Sequence, residues 1–364
     1  MPTKFKPQYI ITPRIVSCLL RIEASKEKVL HAPLTPLVLS SLRETARFYT
    51  THYSTAIEGN RLDSNQVELV LKHEGHFPGR ERDEREVRGY YAAFTKVECW
   101  AASGTPLTEK MIKTLHALLM GNGKTKVKST EYRDGQNVIR DGKTKAIVYL
   151  PPEAQDVHDL MSSMIDWINK DNELPCPLIA AIAHYQFATI HPYYDGNGRT
   201  ARLITTLILH LGGYDLKGIY SLEEYYARNL GAYYEALNKG ESHNYYLGRA
   251  EADITTWIEY FLEGMAYSCE YIVERMTRAA CEGSSDQSGL IKQLDLRQRK
   301  ALVLFESFEV ITSRQIGELF GFKPRTSTAL CALWVRNGFL EITNLSNKGR
   351  KYRLSHTYYV LVNS

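Results

Sequence analysis

The chain of 364 residues is 44% hydrophobic and 24% charged, the balance of an ordinary soluble globular protein with length for two or three domains. That composition argues against disorder, and no apolar run reaches the roughly 18 residues that would cross a bilayer, so no membrane protein is expected. The net charge is only +4 but uneven: residues 290–364 hold twelve Lys or Arg against five Asp or Glu, a local +7 that leaves −3 for the rest.

The N-terminal MPTKFKPQYIITPRIVSC is basic without a continuous apolar block or a small-residue cleavage site, so no signal peptide is expected. Six cysteines without a CxxC pair suggest neither a zinc site nor a disulfide framework, and the cytoplasm is the expected compartment. Apolar positions then recur at helical spacing over 34–56, and again in VELVLKHEG, REVRGYYAAFTKVECWAA and TEKMIKTLHALLMG. The first of these helices closes in STAIEGN, residues 54–60. Glu58 there stands near a helix C-terminus, unfavourably against the dipole, and Gly59 supplies the stop. An ordinary helix cap accounts for STAIEGN taken alone.

Residues 138–152, VIRDGKTKAIVYLPP, set apolar residues on both sides of Asp141-Gly142 and end in a proline pair, which predicts a β-hairpin. Helical patterning resumes in AQDVHDLMSSMIDWINK and in PLIAAIAHYQFATI. The second is apolar nearly all round, as a central buried helix is, with His184 packed inside it. His191 precedes Pro192, so this helix should end near Ile190 and the next begin around Arg199. Two decoys are set aside. GNGKT at 121–125 has Leu118 where a phosphate-binding loop needs its first glycine, and HEGHF at 73–77 lacks the spacing of a zinc-protease helix.

Between the two helices stands HPYYDGNGRTAR, residues 191–202. A Gly-Asn-Gly turn opening a helix whose first turn carries Arg199 and Arg202 is electrostatically unfavourable, because that end already bears partial positive charge. A bound polyanion reverses the sign. Free backbone N–H groups over Gly196–Gly198, the Asn197 amide and two guanidinium forks make a phosphate cradle. Asp195 would hold a divalent ion, Mg2+ fitting best, against the phosphate oxygens. His191 suits a general base near neutral pH. The set describes nucleotidyl or phosphoryl transfer to a hydroxyl.

At these residues the sequence resembles the Fic family, whose signature runs His-Pro-Phe-x-Asp/Glu-Gly-Asn-Gly-Arg-x-x-Arg, with Tyr193 here in place of the usual Phe. The resemblance covers roughly residues 100–270. It implies that His191 deprotonates a Ser, Thr or Tyr hydroxyl of a target protein, which attacks the α-phosphate of ATP so that AMP is transferred. Asp195 would hold Mg2+, Gly196, Asn197 and Gly198 would stabilise the developing charge, and Arg199 and Arg202 would hold the β- and γ-phosphates. Phosphorylating relatives carry Lys where this chain has Gly198, which favours AMP transfer. Ile147, Val148 and Tyr149 lie on the hairpin where the family has the flap that aligns the target segment by strand addition.

Beside that motif, Ser54, Glu58 and Gly59 match the family's inhibitory pattern Ser/Thr-x-x-x-Glu-Gly/Asn. A Glu58 carboxylate paired with Arg202 would displace the γ-phosphate, acting within the chain or between the protomers of a homodimer. In some family members the same glutamate serves removal of AMP, and self-AMPylation is a further expected outcome.

The expected fold class is mainly α: a Fic-type helical core with a β-hairpin flap and a C-terminal winged helix-turn-helix. The expected domains are an N-terminal helical region at 1–105, the catalytic core at 106–280, a linker at 281–289 (CEGSSDQSG) and the winged helix at 290–364. Lys323, Arg325, Thr326, Ser327 and Thr328 open its second helix, and Lys348, Arg350 and Lys351 decorate its wing. DNA binding and protein docking fit this set equally. Beside the enzyme stands a second reading, a DNA-binding regulator with a nucleotide-sensing core, which would keep its response without His191.

Overall fold

The computed structural model describes residues 5–32, 36–140, 144–170, 173–282, 294–344, 350–359 and 361–362. The chain divides into two compact units, one of residues 1–32 with 42–275 and one of 33–41 with 276–364. The expected boundary at 105 therefore falls inside the first unit: the N-terminal helices and the core share one interior. None of the described helices is long and apolar enough to cross a membrane.

Helix α1 (Pro13–His31) was not foreseen, although its start is written in the sequence. Thr12 Oγ1 accepts from the Ile15 amide, and Pro13 takes the first helical position, where no hydrogen bond is lost. It is tied to α11 (Thr255–Glu282) by Arg21, which bonds Glu263 and Glu270 at 2.8 Å each. Helix α2 (Pro36–Ile57) follows, then α3 (Ser64–Leu71), α4 (Glu81–Ser103) and α5 (Glu109–Met120). Helices α4 and α5 approach so closely that a Cβ on Gly89 would collide with the Leu119 carbonyl.

The expected hairpin is present as β1 (Ile139–Arg140) and β2 (Ile147–Tyr149), antiparallel with Ile139 opposite Tyr149 and an irregular register. Its Asp141-Gly142 turn lies outside the described residues. After α6 (Ala154–Asn169) comes α7 (Cys176–Ile190), buried on nearly every side as its composition predicts. Trp257 Nε1 of α11 donates to the Ala181 carbonyl at 2.8 Å, and His184 is held between Thr205 Oγ1 and Tyr233 Oη, both at 3.0 Å. Burial lowers the His184 pKa to about 3, so this histidine is neutral and structural.

Helix α8 (Asn197–Leu211) packs along α7, and α9 (Glu223–Arg228) and α10 (Leu230–Leu237) complete the unit. α8 begins two residues before the expected Arg199, with Gly196 at φ +75° as its cap. Arg199 consequently sits in the first turn, whereas Arg202 lies in the second.

The second unit contains α12 (Leu296–Ser307), β3 (Ile311–Thr312), α13 (Ser313–Phe320), α14 (Pro324–Arg336), β4 (Leu340–Ile342), β5 (Lys351–Leu354) and α15 (His356–Tyr359). Its strands order as β3-β5-β4, all antiparallel, over a core of Ile316, Trp334, Phe339 and Leu354. Strand β3 was not foreseen. Thr312 ends it by capping α13 reciprocally with Gln315, a signal present in the sequence. Of the expected linker, Cys281 and Glu282 belong to α11, and 283–289 lie outside the described residues, as does Lys348 of the wing.

Candidate active site

The glycine loop joins α7 to α8. His191 closes α7 in the left-handed region (φ +52°), a conformation disfavoured for a side chain with Cβ, while its amide still bonds the Phe187 carbonyl at 3.0 Å. Its Nδ1 faces the Ala188 carbonyl at 3.3 Å. Donation there leaves Nε2 with a free lone pair. Burial lowers the His191 pKa to about 4, so the ring is a neutral acceptor at pH 7.

Tyr193 is 2% exposed and stacks on His116 with centroids 3.7 Å apart. The hydroxyl that distinguishes it from Phe is buried without a hydrogen bond, so the ring, not the oxygen, anchors the loop. Asn197, expected to donate to a phosphate, does something else. Its Oδ1 accepts from the Tyr193 amide at 2.9 Å and its Nδ2 donates to the Tyr193 carbonyl at 2.7 Å, which clamps the loop across α8's start.

Asp195 projects outward with a side chain 57% exposed, its Oδ1 2.6 Å from the Gly196 amide. Arg199, 2% exposed, is 3.5 Å from Asp195 and 3.7 Å from Glu86, and its Nε and Nη1 have no hydrogen-bond partner. A buried guanidinium with donors to spare fits an anion on the loop. Among the described residues no group of three or more His, Cys, Asp or Glu side chains could hold a metal by itself. One outward carboxylate suits a hard cation whose other ligands are phosphate and water oxygens.

The second arginine is already engaged. Arg202 Nη2 donates to Glu58 Oε1 at 2.8 Å and to the Ser54 carbonyl at 2.8 Å, and Nε donates to Ser54 Oγ at 2.7 Å. Burial works against its charge, but the Glu58 carboxylate outweighs this and holds the guanidinium pKa above its usual value. A Cβ added to Gly198 would collide with Glu58 Oε1, so this carboxylate lies against the first turn of α8. A protein carboxylate thus occupies the position where a helix N-terminus attracts an anion. Gly59, at φ +89°, turns the chain away immediately afterward.

Against known proteins, residues 106–209 match the model of the Fic/DOC family. Over those residues the chain is similar to Fic domains. It is 33% identical to protein adenylyltransferase fic-1 of Caenorhabditis briggsae over 51% of its own length and 36% of that protein. With protein adenylyltransferase Fic of Nematostella vectensis it shares 28% identity over 53% and 44%. The chain thus spans less than half the length of these curated relatives. A Fic family protein from Desulfovibrio desulfuricans aligns over 97% of this chain and 99% of its own, with TM-score 0.61 and 25% identity. A segment of Fic-1 from Caenorhabditis elegans gives TM-score 0.58 over 74% of each chain, and at 24% identity shows the shared fold alone.

Two residues that hold the glycine loop carry no motif signal. Arg133, 4% exposed, donates from Nε to the His191 carbonyl at 3.0 Å, from its amide to the Pro192 carbonyl at 2.9 Å, and from Nη2 to the Pro152 carbonyl. His116 bonds the Asp195 carbonyl at 3.0 Å through Nε2. Neither belongs to a motif, and no local pattern marks them. On the hairpin, Ile147 and Val148 are 48% and 38% exposed, whereas Tyr149 is buried and donates to the Thr189 carbonyl at 2.6 Å. Tyr149 therefore pins the flap to α7 by its side chain, leaving the two aliphatic residues outward.

Proposed function

We propose that this protein is an autoinhibited adenylyltransferase that moves AMP from ATP to a Ser, Thr or Tyr hydroxyl of a target protein. The observation that carries the reading is the Glu58 carboxylate bonded to Arg202 over the start of α8, an anion held where phosphate would sit. The curated relatives named protein adenylyltransferase support the same reaction class.

His191 Nε2 accepts the proton of the target hydroxyl. The hydroxyl oxygen bonds to the α-phosphorus, the bond from that phosphorus to the pyrophosphate oxygen breaks, and pyrophosphate leaves. The amides of Asn197 and Gly198 at the start of α8 and the spare donors of Arg199 would take up the growing negative charge, whereas the Gly196 amide is held by Asp195. Arg202 receives the terminal phosphates once Glu58 withdraws, a motion open to Glu58 because its side chain is 27% exposed. Asp195 would hold Mg2+, which when bound offsets phosphate charge. Ile147 and Val148 offer the flap edge to an extended target segment.

The C-terminal unit is proposed as a winged helix that docks a partner. Lys323, Arg325, Thr326 and Thr328 stand exposed at the start of α14, whereas Ser327 is buried and bonds the Pro324 carbonyl, so it is withdrawn from that face. Binding of duplex DNA that weakens steeply with salt would place nucleic acid there.

The test is incorporation from α-labelled ATP with Mg2+, into the protein itself and into a cell extract, by wild type, Glu58→Gly and Glu58→Gly/His191→Ala. Weak, strong and absent labelling are expected, with a rise of at least about tenfold on release, the factor that about 1.4 kcal/mol of competition gives. No labelling by Glu58→Gly while ATP still binds would replace the transferase with a nucleotide sensor. A pre-labelled protein that loses AMP only when Glu58 is present would assign the reverse reaction.

A further inference from the structure

Arg202 keeps two of its three bonds to segment 54–58 through one residue, Ser54, and the two halves of that segment differ in mobility. Glu58 can turn into solvent about its own side chain. Ser54 cannot, since it is wholly buried beside Thr50, Thr51 and Thr55, each at most 2% exposed. Release of Glu58 therefore frees one guanidinium N–H and leaves Nε on Ser54 Oγ and Nη2 on the Ser54 carbonyl.

Behind Ser54 the polar groups continue. Tyr90 of α4, fully buried, stands close enough to the Ser54 hydroxyl to interact with it and donates from Oη to Glu223 Oε1 at 3.3 Å. Glu223, first residue of α9 and 3% exposed, also accepts from Ser221 Oγ at 3.2 Å. Burial raises the Glu223 pKa, and with Tyr90 Oη donating to Glu223 Oε1 the Tyr90 oxygen is free to take the Ser54 proton. The Ser54 lone pair then faces Arg202 Nε. Each bond in such a buried row polarises the next.

We propose that Ser54, Tyr90 and Glu223 form a buried chain that positions Arg202 for the terminal phosphate, with Ser54 serving the nucleotide site in both the inhibited and the released state. Four helices, α2, α4, α8 and α9, meet in it. The inference rests on the reading that Arg202 receives that phosphate, and it separates two residues that the inhibitory motif groups together: Glu58 blocks, whereas Ser54 supports. Loss of Ser54 should then weaken the released enzyme, not activate the inhibited one.

The experiment measures binding of ATP and of ADP with Mg2+ by calorimetry in Glu58→Gly/His191→Ala, which does not turn over, and in the same background with Ser54→Ala, Tyr90→Phe or Glu223→Gln. Each added change should weaken ATP about tenfold while ADP, which lacks the γ-phosphate, shifts by less than about twofold. Ser54→Ala with Tyr90→Phe should be no weaker than Ser54→Ala alone, and Ser54→Thr should restore ATP binding. Unchanged ATP affinity, or equal losses for ATP and ADP, overturns the chain even if ATP still binds better than ADP in the background. A background that binds neither nucleotide overturns the role of Arg202 and the chain with it.

Discussion

Glu58 Oε1 lies 2.8 Å from Arg202 Nη2 and against the Cα of Gly198, so one carboxylate bridges the second turn of α8 and its first. Absence of a side chain at position 198 is what admits it. Gly198→Ala should therefore push Glu58 off Arg202 and destabilise the wild type by about 1–3 kcal/mol. With Glu58→Gly already present the collision is gone, and alanine inside a helix is favoured over glycine by up to about 1 kcal/mol. A double-mutant cycle by urea unfolding reads the change of sign. Equal losses in both backgrounds would mean that Glu58 does not rest there.

The neutral histidines give the protein an acid limit. His184, His191 and His210 have pKa values lowered by burial to about 3, 4 and 4, against about 6.5 in the unfolded chain. Between those values the unfolded chain binds more protons, so the stability these groups contribute is present above about pH 6.5 and is lost as pH falls. His184 alone, wholly buried, should remove about 2–3 kcal/mol by pH 4.5. Urea midpoints at pH 7, 5.5 and 4.5 check this, and in the NMR titration the His191 ring should stay neutral below pH 5.

The Arg133 side chain holds the His191 carbonyl and those of Gly135 and Pro152, while its main-chain amide holds Pro192, and all its hydrogen-bonded partners are neutral. Arg133→Ala leaves buried carbonyls unsatisfied, a loss of about 2–4 kcal/mol, and lets His191 relax out of its left-handed conformation. In the Glu58→Gly background, AMP incorporation should fall by about a hundredfold or more although Arg133 donates to the protein's own backbone. Arg133→Lys should not restore it, because one ammonium cannot span acceptors on both sides of the loop. Retained labelling in Arg133→Ala would sink this positioning role.

The helices were legible where their periodicity was strong, and the composition of α7 alone predicted a central buried element. Local chemistry also marks α1, through the Thr12 cap and Pro13, inside a basic N-terminal stretch. The start of α8 was misplaced because Asn197 and Gly198 are poor helix formers, and Gly196 supplies the cap through backbone freedom rather than a side chain. At the site, Arg202, Glu58 and Ser54 share a hydrogen-bonded cluster although 144 residues separate Arg202 from Glu58. Physical patterning marked a phosphate cradle but could not join it to residue 58; family resemblance supplied that link. Arg133, His116, Tyr90 and Glu223 act through burial and tertiary hydrogen bonds, which no one-dimensional spacing encodes.

The contact of α4 with α5 transmits packing to the loop. Gly89 lets the two backbones touch at Leu119, and three residues earlier on α5 His116 stacks on Tyr193 and bonds the Asp195 carbonyl. Gly89→Ala must separate the helices, at a cost of about 2–4 kcal/mol for backbone overpacking, and it should carry His116 away from the loop. Gly104→Ala is the matched control: its Cβ meets nothing within 4 Å, and its φ of +64° costs only about 1 kcal/mol. Urea unfolding should separate the two variants by more than about 1 kcal/mol, and in the Glu58→Gly background only Gly89→Ala should raise the Mg2+ concentration needed for labelling. If Gly89→Ala were as mild as Gly104→Ala, the close approach of α4 and α5, and the support it gives to Asp195 through His116, would both be wrong.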